Sequence, residues 1–150
     1  MESVEEFLSL SSELTGFESI ELRGAAVGEE YLRWLIASFP AVLGDLLEVW
    51  RRILADYPPS EREVHLRRDV MADPRLGPFA RSLVVLWYTA TWNALPEEWS
   101  AAYGGGASDA SHVFGGAYAE GLAWKAARAH PVGAKPTGFG SWALAPGEGR

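Results

Sequence analysis

Three histidines, a few serines, several carboxylates and two arginine doublets are the residues here that could carry chemistry. Their spacing joins none of them into a working set. His65, His112 and His130 lie far apart, and no two stand at metal-ligand spacing. With no Cys in the chain there is no thiolate zinc site, no disulfide framework and no Cys nucleophile, so a metal would need carboxylates gathered from elsewhere. Ser11, Ser12 and Ser82 are hydroxyl nucleophiles in name alone, because none sits in a Gly-x-Ser-x-Gly turn and no base is assigned to any. Glu97 with Glu98, or Asp69 with Asp73, would work as an acid–base pair if burial and separation split their pKa values; otherwise they are solvated loop or helix-end charges. Gly104-Gly105-Gly106 lacks the preceding strand and the following Lys-Ser/Thr of a phosphate loop and reads as a flexible connection. Arg51-Arg52 and Arg67-Arg68 could hold an anion or a partner's carboxylate, or simply be exposed helix faces. His65, between Val64 and Leu66, reads equally as a hydrogen-bonded boundary residue.

The residues that resist a purely structural reading are aromatic. Trp87-Tyr88-Thr89 ends an apolar run, Tyr118 and Trp124 bracket an Ala-rich segment, and Phe139 and Trp142 stand in a Pro/Gly tail. A tail with Pro131, Pro136 and Pro146 cannot build its own core, so it either hangs in water or lies against something else; in an ordered tail its aromatics point to a partner surface. We take Trp87, Tyr88, Tyr118, Trp124, Phe139 and Trp142 as candidate partner-binding residues. For Trp87 and Trp124 the competing reading is core packing.

The 150 residues suffice for one core, and 48% hydrophobic content makes a folded domain the expectation. Formal net charge is −7, with eleven Arg and only two Lys. That balance argues against nonspecific nucleic-acid binding, which depends on neutralising phosphates, and against anionic membrane surfaces. The opening Met1-Glu2-Ser3-Val4-Glu5-Glu6 has no basic region and no apolar stretch of signal type. The apolar run around Leu83–Leu86 is far too short to span a bilayer. The reading is cytoplasmic, or periplasmic if a signal has been removed or export takes another route.

The elements that would position these residues are helical. Ser3 and Glu6 have capping-box spacing, Phe7, Leu10 and Leu14 share a face, and Thr15-Gly16 predicts a left-handed stop. A second helix is expected over 28–39, interrupted by Pro40, and a third from there to Tyr57. Pro58-Pro59 stops it, and Ser60 with Glu63 predicts a short polar helix to Met71. Asp73-Pro74 reads as a cap and first-turn proline for a central buried helix to about Trp92. A loop over 93–106, with one turn at 97–101, leads to a last helix over 109–129 capped by Ser108 or Asp109. Gly115, Gly116 and Gly121 weaken that helix and suggest close approach of another backbone. No strands are expected. The fold class is all-α: a compact bundle of about six helices over 1–130 with an extended Pro/Gly-rich C-terminal arm over 131–150.

Four blocks, in order, resemble the small (gamma) subunit of FAD-dependent sugar and polyol dehydrogenase complexes, the family of glucose, sorbitol and fructose dehydrogenase small subunits. Phe7-Leu8-Ser9-Leu10-Ser11-Ser12-Glu13-Leu14-Thr15-Gly16 resembles its opening helix, and Leu86-Trp87-Tyr88-Thr89 its Trp-Tyr helix. Tyr118-Ala119-Glu120-Gly121-Leu122-Ala123-Trp124 and the stretch 138–146 resemble its two closing blocks. The chain departs from the family in having no twin-Arg export signal, no Cys near Pro131–Pro136, and Gly140-Ser141 between Phe139 and Trp142.

The resemblance implies a subunit that is not an enzyme by itself. FAD and the catalytic His would belong to a large flavoprotein partner of the glucose-methanol-choline type, acting on a sugar, polyol or glycoside, and the small subunit would hold no cofactor and support its partner's folding. A further electron-transfer subunit would complete such a hetero-oligomer. The other readings are a helical adaptor or regulator unrelated to an oxidoreductase and, more distantly, a small stand-alone enzyme using Arg and Glu.

Overall fold

The computed structural model describes residues 3–104, 110–129 and 131. The chain is mostly all-α, with one tiny two-stranded sheet. Helix α1 (Val4–Thr15) starts where Ser3 accepts the Glu6 N–H at 3.1 Å, and stops at Gly16, whose φ of 77° closes the last turn in the left-handed region. Only half of the expected capping box forms, because the Glu6 carboxylate pairs with Arg51 instead. The unanticipated short helix α2 (Ser19–Gly24) has its own box, in which Glu18 and Glu21 cap one another.

Helices α3 (Gly28–Ser38) and α4 (Pro40–Asp56) are separated by one residue, Phe39. Pro40 explains the break: it donates no N–H and its ring excludes the α conformation from Phe39, which sits at φ −138°, ψ 50°. Helix α5 (Pro59–Leu66) opens on its prolines rather than on Ser60, and runs into a π-helical turn at Arg67–Met71. Asp73 then caps α6 (Leu76–Thr89), its Oδ1 accepting the N–H groups of Arg75 and Leu76 at 2.8 and 2.7 Å.

The C-terminal third departs most from expectation. α6 ends at Ala90 in the left-handed region, and Thr91–Trp92 form strand β1, antiparallel to β2 (His112–Val113). The loop expected after it holds a true helix, α7 (Glu97–Tyr103). The single helix expected over 109–129 is not there. Its place is taken by β2, a 3-10 turn at Gly115–Glu120 and the short α8 (Leu122–Ala126). Gly115 and Gly116 carry a high entropic cost in a helix, and Gly121 adopts φ −55°, ψ 130°, which no α-helix accommodates. The extended arm expected over 131–150 lies outside the described residues except for Pro131, which is buried.

The core is aromatic. Trp50, Trp87, Trp92, Tyr31, Phe7 and Phe79 are all fully buried. Trp92, carried inward by β1, meets Phe39, Phe79 and Trp34 with ring centroids 5.2–5.6 Å apart. Such rings add edge and offset contacts to their large buried area. Helix α1 packs on α2, α3, α4 and α6, so the opening block of the sequence sits at the middle of the fold.

Candidate partner-binding surface

Three blocks distant in sequence meet here. Phe7 of α1 stacks near Trp87 of α6, with centroids 6.1 Å apart, and Tyr31 meets the same indole edge-on at 5.2 Å. Tyr88 donates its hydroxyl hydrogen to the Thr15 carbonyl at 3.2 Å, and Phe17 packs edge-on against its ring. The third block lies against the second: a Cβ at Gly121 would stand 2.8 Å from the Tyr88 carbonyl oxygen. The close backbone approach expected of the C-terminal glycines therefore occurs at Gly121, whereas Gly115 and Gly116 face open space.

The six aromatic candidates separate into three situations. Trp87 is 1% exposed and belongs to the core, the competing reading for that residue; Tyr88 is half-buried. Tyr118 is 42% exposed and meets the half-buried Trp124 ring edge-on at 5.4 Å, while the Trp124 indole N–H donates to the Tyr118 carbonyl at 3.0 Å. This pair forms a fixed aromatic ledge beside the Tyr88–Gly121 contact. Phe139 and Trp142 lie outside the described residues.

The other reactive types do not assemble. Ser11 is buried in α1, and Ser12 donates to the Phe17 carbonyl at 2.6 Å. No hydrogen bond joins either, or Ser82, to a histidine among the described residues. His112 stacks on Trp34 at 5.1 Å, His65 stacks on Tyr57 at 3.4 Å, and His130 lies outside the described residues. Glu97 and Glu98 are exposed in the first turn of α7, where acidic side chains suit the helix dipole. Among the described residues no group of three or more metal-ligating side chains forms, and no helix is long and apolar enough to cross a membrane.

Sequence reasoning missed the setting of Arg68. Its guanidinium grips the carboxylate of the next residue, Asp69, through two hydrogen bonds of 2.6 and 2.8 Å. Those bonds hold the Asp69 carboxyl below the usual carboxylate range and raise Arg68 further. The pair lies within the π turn, and nothing in composition marks a π turn. Burial, with Glu30 and Glu120 nearby, likewise raises the Tyr31 phenol well above its ordinary value. Compared with protein-family models, with curated proteins and with solved structures, the chain finds no match.

Proposed function

We propose that this chain is a non-catalytic small subunit that binds and stabilises a large FAD-dependent flavoprotein of the glucose-methanol-choline type, acting on a sugar, polyol or glycoside. The observation that supports this reading is the convergence of the opening helix, the Trp87-Tyr88 block and the Tyr118–Trp124 block into one packed unit. Blocks that resemble one family in order along the chain are also joined in space, and the Tyr118–Trp124 ledge faces outward from them. Exposed aromatic anchors next to a rigid core are the usual chemistry of a protein–protein hot spot. A helical adaptor for some other protein uses the same ledge and differs only in the partner.

The test is recovery of the tagged chain from its own cells, with the co-purifying proteins identified and the flavin spectrum recorded. The expected result is a flavoprotein in fixed ratio, a higher melting temperature for the chain in the complex, and a colourless isolated chain inert toward sugars with dye acceptors. Tyr118→Ala should weaken the complex by about 2 kcal/mol while leaving the isolated chain's melting temperature nearly unchanged. A stable partner without flavin moves the conclusion to the adaptor, and turnover by the partner-free chain refutes the non-catalytic role.

A further inference from the structure

We draw no further inference here: the strongest candidate, the cavity of about 430 Å³ between α1, α2 and the first turn of α3, offers a ligand only the Glu29 carboxylate over an apolar floor of Leu8 and Leu22, because Glu5 and Arg23 at its rim satisfy one another, and nothing in the structure shows what would occupy it.

Discussion

Gly77 offers a quantitative test of how α6 is seated. It lies in the first turn of that helix, and its N–H donates to the Asp73 carbonyl at 2.9 Å. A Cβ there would stand 2.5 Å from the carbonyl oxygen of Met71, the last residue of the π turn, and 3.3 Å from Arg81 Nη2. Ordinary contact begins at 3.4 Å, so the backbone carbonyl would have to retreat by about 0.9 Å. It is not free to do so. Arg81 Nη1 donates to the same oxygen at 3.3 Å, and the turn is closed by the Ala72 N–H on the Arg67 carbonyl at 3.0 Å. Overpacking of this kind costs about 1–3 kcal/mol, against a helix-propensity gain for Ala of at most about 1 kcal/mol. Gly77→Ala should therefore lose about 1–2 kcal/mol. Gly121→Ala, whose Cβ would meet the Tyr88 oxygen at 2.8 Å, needs a smaller shift and should lose about 1 kcal/mol. Gly115→Ala meets nothing within 4 Å and should stay within about 0.5 kcal/mol of the parent. Urea unfolding with unchanged m-values gives the three differences directly. A Gly77→Ala protein as stable as its parent, or an inverted order, would refute the close seating of α6 on the π turn.

Two further perturbations follow from buried or capping polar groups. The Tyr31 hydroxyl is buried without a hydrogen-bond partner, and its raised pKa means the unfolded chain loses that proton first, near a pH of about 10. Tyr31 should thus contribute no pH dependence below that value and a loss of stability as pH rises beyond it. Tyr31→Phe should flatten that alkaline loss and change stability at neutral pH by less than about 1 kcal/mol, as read by unfolding at a series of pH values. Asp73→Ala removes the acceptor of two first-turn N–H groups and should cost about 1 kcal/mol in thermal unfolding, with Asp73→Asn recovering most of it.

What could be read from the sequence was local in origin. The Ser3 cap, the Gly16 stop, the Pro40 break and the Asp73 cap each depend on a residue type with one strong conformational effect, and each is found at its position. The failures lie where tertiary contact decides. Residues 110–129 have the Ala content of a helix, yet Phe114 and Trp92 gain more from entering the aromatic core than a long glycine-bearing helix could offer, so the segment pairs with β1 and turns inward. The capping box at Ser60 and Glu63 lost to proline, which fixes the first turn of α5 without help.

The candidate surface was legible in the same partial way. Aromatic residue type marked Trp87, Tyr88, Tyr118 and Trp124 together, but exposure depends on which neighbours arrive, and only the fold separates the buried Trp87 from the exposed Tyr118. The arginine doublets show the converse. As sequence they allowed both a carboxylate-binding role and a bland solvated face. In the fold Arg51 pairs with Glu6, Arg67 with Glu63 and Arg68 with Asp69, so three of the four guanidinium groups already face a carboxylate of this chain. The π turn buries Val70 fully while Arg67 and Arg68 beside it stay exposed, so the second doublet ends as a solvent-facing flank of a core residue, a division that depends on the fold and not on residue type.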